Sequence, residues 1–126
     1  EDPMDTVEVA AAAGAAYVAR WRSWDFKPLL QSIKKGIQTK GFSFIEILVP
    51  CPTQFGRYVL RTSDAKKVIQ WYKDNTITLQ RAEKLPPEER KKKIILGEFV
   101  HREDRTGVVE RYWDMVKRIQ SEGGAK

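Results

Sequence analysis

Cysteine and histidine are almost missing from this chain, which has one of each, Cys51 and His101, in 126 residues. A single cysteine excludes an internal disulfide and suits a reducing cytoplasm, the expected location. A single histidine excludes a multi-histidine metal centre, and no Ser-His-Asp spacing points to nucleophilic catalysis. No Gly-rich phosphate loop occurs. No apolar run approaches the length of a membrane span. The short apolar stretch over residues 10–16 follows Glu1, Asp2, Asp5 and Glu8, the wrong charge for a signal peptide. No membrane partner is expected.

What is present is an ordinary globular composition, 41% hydrophobic and 32% charged, with a net charge of +6. A chain of this length makes one domain with a real core. Much of the excess charge lies in Arg90-Lys91-Lys92-Lys93 and Lys34-Lys35. A solvated helix face is the commoner source of such runs than nucleic-acid binding. They leave open a second reading, a non-catalytic basic α/β module that binds nucleic acid or an acidic protein. Trp21 and Trp24, beside Arg20 and Arg22, could stack bases, although packing is the commoner use of such aromatics.

Helix and strand signals alternate along the chain. A short helix is expected over residues 3–13, capped by Asp2 or Asp5 and closed by Gly14. A strand follows over 15–20. A helix over 25–39, capped by Ser23 or Asp25, repeats Phe26, Leu29, Leu30, Ile33 and Ile37 at helical spacing, a stripe that reads as core. Residues 50–62 read as a loop rich in turn formers. A helix over 64–75 with Ser63 as cap follows, and Pro87 opens a helical turn over 88–93. A strand over 94–101 precedes a final helix over 107–121, with Val108, Val109, Tyr112, Met115, Val116 and Ile119 facing inward. The tail over 123–126 is expected to fray.

The organising stretch is residues 40–57, KGFSFIEILVPCPTQFGR. Residues 42–49 have the length and β-branched content of a buried strand, bounded by Gly41 and Pro50. A strand apolar on both faces suits a central place in a parallel sheet covered by helices. Glu46, the carboxylate within it, is expected to pair with a basic neighbour such as Arg20. Ligands of such sheets bind past the carboxyl ends of the strands, and Cys51 stands there. The fold class expected is α/β, a layered, mostly parallel sheet with helices on both faces.

The stretch Phe-Ile-Glu-Ile-Leu-Val-Pro-Cys-Pro-Thr, residues 44–53, resembles the C-terminal part of the β subunit of 2-oxoacid:ferredoxin oxidoreductases, which use thiamine diphosphate and iron–sulfur clusters. Gly14-Ala15-Ala16-Tyr17-Val18-Ala19-Arg20 is similar to the family's Gly-Ala-Thr-Phe-Val-Ala-Arg strand. Leu96-Gly97-Glu98-Phe99 through Arg105 is similar to its late Gly-Val-Phe strand and Arg-Pro turn. The resemblance covers essentially the whole chain. It implies that residues 1–126 form a single α/β segment, the C-terminal portion of a thiamine-diphosphate-binding fold within a longer subunit. An opening on Glu1-Asp2-Pro3 without methionine fits that expectation.

The resemblance also implies a reaction: oxidative decarboxylation of a 2-oxoacid, 2-oxoglutarate or pyruvate, with coenzyme A, giving an acyl-CoA, carbon dioxide and reduced ferredoxin. The Pro-Cys-Pro-Thr phrase leans toward the 2-oxoglutarate branch. The implied partners are the α subunit and ferredoxin. Cys51 would be one ligand of a 4Fe-4S cluster, with its fellow thiolates outside this chain, since one thiolate cannot hold a cluster. Thiamine diphosphate and magnesium would be held by a Gly-Asp-Gly motif that this sequence lacks. The chain alone is therefore expected to be inactive and to bind no cofactor. No catalytic residue is assigned, and a buried packing thiol is the alternative for Cys51.

Overall fold

A computed structural model describes residues 4–123. The alternative cap Asp2, the expected helix start at Pro3 and the tail from residue 124 on lie outside the described residues. The elements run α1 (Thr6–Ala12), β1 (Tyr17–Arg22), α2 (Phe26–Gln38), β2 (Ser43–Leu48), a π-helix (Pro52–Val59), α3 (Ala65–Asn75), β3 (Thr76–Thr78), α4 (Leu79–Ala82), α5 (Pro87–Arg90), β4 (Ile94–His101) and α6 (Val108–Gly123). The expected alternation of helix and strand is there, and the class is α/β.

The sheet order is β2-β1-β4-β3. β1 runs parallel to β2 and β3 parallel to β4, but β4 lies antiparallel to β1. The sheet is therefore mixed, with two parallel pairings and one antiparallel, so it is mostly but not wholly parallel. Alternation of elements implies crossovers but does not say from which end the chain re-enters the sheet. One correction concerns residues 42–49, expected at the centre. β2 is an edge strand, and Phe42, Ile47 and Val49 are exposed. The central, fully buried place belongs to β1, in which Tyr17, Val18 and Ala19 have no solvent contact.

The two-residue period of β1 decides what covers it. Val18 joins Val7, Ala10 and Ala15 in the core, with Phe44, Phe99 and Val100 packed against them, so α1 covers this face. Tyr17 and Ile45 lie on the other face, against α2. There Gly36 lets the helix approach, since a Cβ on it would stand 3.1 Å from Ile45 Cδ1. The Trp21 indole N–H donates to Ser32 at 2.6 Å on the same face. Phe99 is an extra residue in β4, because Val18 pairs with Val100 but Ala19 with Glu98. This bulge lets Phe99 turn to the α1 side while Glu98 reaches Tyr17 and Lys35, at 2.8 Å each.

Polar groups bind the layers together. Arg20, buried on β1, donates from Nε to Glu46 of β2 at 2.6 Å and from a guanidinium nitrogen to Asp5 at 2.5 Å. Glu46 is thus paired as expected. Asp5 also caps α1 by accepting from the Val7 N–H. The expected capping by Ser63 is corrected, since Asp64 accepts from the Lys66 N–H instead. Asp25 stands at the start of α2 but grips Arg22 at 2.8 Å rather than the helix N–H groups.

Two apolar stripes read as core face outward. In α2, Phe26, Leu30 and Ile37 are exposed, Ile37 by 80%. In α6, Val108, Val109, Tyr112, Met115 and Ile119 are all exposed, which corrects their inward assignment. α2 meets the sheet through Ser32 and Gly36 and keeps Leu29 half-buried, but turns most of its stripe to solvent, as α6 does with the residues named. α6 is tied to the rest chiefly by an ion pair between Lys40 and Glu110.

The Asp5–Arg20–Glu46 network generates a stability prediction. Arg20→Met should destabilise the fold by about 2 to 3 kcal/mol, at the low end for a buried pair because both carboxylates reach solvent. Burial pushes Asp5 up, and the Arg20 guanidinium reverses this and leaves the carboxyl below its ordinary value. Its contribution is present above the ordinary carboxylate range, about pH 4, and is lost as pH falls through the lower folded value. Urea midpoints measured from neutral to acid pH should fall, and Arg20→Met should flatten that fall.

Candidate functional site

The site begins where β2 ends. Pro50 and Pro52 flank Cys51 in an extended backbone, with φ −111° and ψ 103° at the cysteine. Pro52 then occupies the first helical position, where its missing N–H costs nothing. The expected loop over residues 50–62 is instead a π-helix from Pro52, which corrects that reading. Its bonds skip five residues, from the Gly56 N–H to the Cys51 carbonyl at 2.8 Å and from Leu60 to Phe55 at 3.2 Å. Helices of this type are rare and concentrate at functional sites.

Gly56 explains why so unfavourable a helix persists here. It is buried against α3, and an added Cβ would stand 2.7 Å from the Thr62 carbonyl oxygen and 2.9 Å from Val68 Cγ2. Only glycine lets the π-helix settle this close. Phe55 packs edge-on against Trp71, with ring centroids 4.8 Å apart, and leans on Tyr72 at 5.6 Å. Tyr72 also meets Trp24 at 6.2 Å, and the Arg22 guanidinium lies over Trp24 at 5.2 Å. Arg22 further donates to Thr76, so the end of β1 and the end of α3 share one polar tie.

Cys51 Sγ sits at the mouth of this helix, half-buried. It accepts from the Gln54 N–H at 3.3 Å and lies 3.2 Å from the Thr53 hydroxyl oxygen. Donors aimed at sulfur favour the thiolate. The Thr53 hydroxyl first, and then the Gln54 N–H, bring the thiol down from its ordinary value to about 7. Burial pushes the neighbouring Tyr72 hydroxyl up, and the Cys51 charge adds to the rise. The thiol is thus neither inert nor wrapped in apolar groups. It is a partly open, readily ionised sulfur, of the kind that attacks electrophiles or coordinates metal.

Among the described residues, no three Cys, His, Asp or Glu side chains converge to hold a metal ion. His101 ends β4, packed edge-on to Tyr17 at 5.4 Å and 3.6 Å from Glu98. The structure does not bring it to Cys51. Sequence reasoning singled out Cys51 but missed Thr53 and Gln54. The signal was available, because a cysteine followed by proline, a hydroxyl residue and a third residue has the layout of a helix cap.

Over 122 residues the chain is 42% identical to the 2-oxoglutarate synthase subunit KorB of Methanocaldococcus jannaschii, matching 97% of this chain and 44% of that protein. It is 45% identical over 102 residues to the 2-oxoglutarate synthase subunit KorB of Methanothermobacter thermautotrophicus, covering 81% and 35% of the two. The 2-oxoacid:ferredoxin oxidoreductase subunit beta of Saccharolobus solfataricus matches at 40% identity over 50 residues, 40% of this chain and 16% of that protein. This chain is a homologue of these oxidoreductase subunits. No protein-family model matches it. The chain spans less than half the length of these homologues. Among the described residues, no helix is long and apolar enough to cross a membrane.

The thiol geometry yields a direct test. Iodoacetamide alkylation of Cys51, followed against pH, should show a midpoint near 7, as expected from its lowered value. Thr53→Ala removes the first of the donors, so the midpoint should move up and alkylation at neutral pH should slow. An unchanged midpoint in Thr53→Ala would show that the hydroxyl does not control the thiolate.

Proposed function

We propose that this chain is the C-terminal portion of the β subunit of a 2-oxoglutarate:ferredoxin oxidoreductase, within a thiamine-diphosphate-binding fold. The reaction would convert 2-oxoglutarate and coenzyme A to an acyl-CoA and carbon dioxide, with the electrons passed to ferredoxin. The names carried by the homologues support the substrate. The observation that carries the site is the Cys51 thiol: half-buried, past the end of β2 and lowered to about 7.

In this reading Cys51 supplies one thiolate to a 4Fe-4S cluster, whose chemistry is one-electron transfer. The Gln54 N–H, already directed at the sulfur, would remain a donor to the bound thiolate, a contact of the kind that tunes cluster potential. The remaining thiolates, thiamine diphosphate and magnesium belong to parts of the enzyme outside this chain. The exposed apolar surfaces support that division. The free edge of β2, the exposed Val49, Tyr58 and Val59, and the outer stripes of α2 and α6 are unlike the surface of a finished domain. The rest of the subunit would cover part of them and the α subunit another part. The enzyme would work in the reducing cytoplasm, where Cys51 stays unoxidised.

The nucleic-acid reading rests on the net charge and the basic run over residues 90–93, and the aromatic pair adds little to it. Arg20 is consumed by Asp5 and Glu46, and Arg22 by Asp25, so neither flanks a free aromatic platform.

In the complete enzyme, Cys51→Ser should lower cluster occupancy and ferredoxin reduction while thiamine binding largely survives. Iron content and thiamine binding measured on the same variant provide the check. Full iron content with unchanged ferredoxin reduction would reduce Cys51 to a packing thiol.

A further inference from the structure

The end of the sheet opposite Cys51 holds a cavity of about 280 Å³, bordered by Gly14, Gly41, Phe42, Arg105, Thr106 and Arg111. Phe42 precedes β2 and Cys51 follows it. A strand of this length, at about 3.3 Å per residue, separates the two ends by roughly 20 Å. The cavity is thus no part of the thiol site, and nothing in the assignment of Cys51 bears on it.

Its lining is basic without compensation. Neither Arg105 nor Arg111 takes part in an ion pair or a side-chain hydrogen bond among the described residues. Arg20 and Arg22, by contrast, are each held by carboxylates. No carboxylate lines this cavity. The two other principal cavities are different: one of about 310 Å³ includes Glu103, and one of about 500 Å³ includes Asp5 and Glu46. Glu110, the acidic neighbour of Arg111, is drawn aside by Lys40 and by the Gly107 N–H.

The remaining lining suits a compact anion. Gly14 (φ +87°) and Gly41 (φ +112°) bring bare backbone to the rim. A Cβ at Gly14 would meet nothing within 4 Å, so there is room beside it. Thr106 adds a hydroxyl donor. Two guanidinium groups offer planar, forked donors that match phosphate oxygens. Their combined charge matches a phosphate monoester, which carries about −1.5 to −2 at neutral pH.

We propose that this cavity binds the phosphate group of a small phosphorylated molecule, with Arg105 and Arg111 as the charged contacts and Thr106 as a further donor. The site neither requires nor affects the cluster.

The test titrates the full chain with inorganic phosphate while backbone amide resonances are followed by NMR, with acetate at matched ionic strength as comparison. Phosphate should give saturable shifts at Gly14, Gly41, Phe42 and Thr106, and acetate weaker ones. Arg105→Gln and Arg111→Gln should each weaken phosphate binding by about tenfold or more, the loss of one charge-assisted contact. Arg118→Gln, toward the far end of α6, should leave it unchanged. Both arginines are exposed, so the variants should fold, and near-UV circular dichroism verifies this. Glycerol 3-phosphate in place of inorganic phosphate tests the ester, which should bind at least as tightly. The proposal is overturned if the shifts do not saturate, or if they persist undiminished in the Arg105→Gln/Arg111→Gln double variant. It is also overturned if Arg118→Gln weakens binding as much as the other two.

Discussion

The guanidinium of Arg20 is the group on which the architecture depends. It stands on the central strand, almost without solvent, and its two carboxylate partners come from different elements. Asp5 caps α1 and Glu46 belongs to the edge strand, while Thr6 donates a further hydrogen bond to Glu46. One buried cation therefore fixes the position of a helix start and the register of a strand pair. A charge taken out of water is tolerated only when its partners are well placed, so α1, β1 and β2 cannot shift separately. The same face carries the apolar core of Val7, Ala10, Ala15 and Val18.

From this fixed frame the chain leads out to the thiol. β2 delivers Pro50, Cys51 and Pro52 at its end, and the prolines hold the backbone extended up to the first helical turn. Gly56 then permits a close approach to α3 that no other residue allows. The aromatic group of Phe55, Trp71, Tyr72 and Trp24 fills the space behind. The lowered thiol is a consequence of where the turn places two donors, Thr53 and the Gln54 N–H, rather than of any nearby cation.

The apolar stripes leave two helix faces uncovered. Helix α6 has a regular apolar face with no partner among the described residues, and α2 turns much of its stripe outward. An amphipathic pattern states that a helix will be covered. It does not state by what.

Local features were legible in the sequence because local physics produces them. The bounds of α2 and β4, the cap at Asp5, the Arg20–Glu46 pair and the place of Cys51 after a strand all follow from period, charge and punctuation over a few residues. The family resemblance rested on the same short phrases. Four things waited for the tertiary structure. The direction of β4 and the edge position of β2 depend on how distant segments meet, and an apolar run reads alike in a central strand and in an edge awaiting a partner. The π-helix depends on the contact of Gly56 with Thr62 and Val68, which no local propensity encodes. The basic cavity joins Gly14, Gly41 and Arg105, residues brought together only by the return of β4 alongside β1.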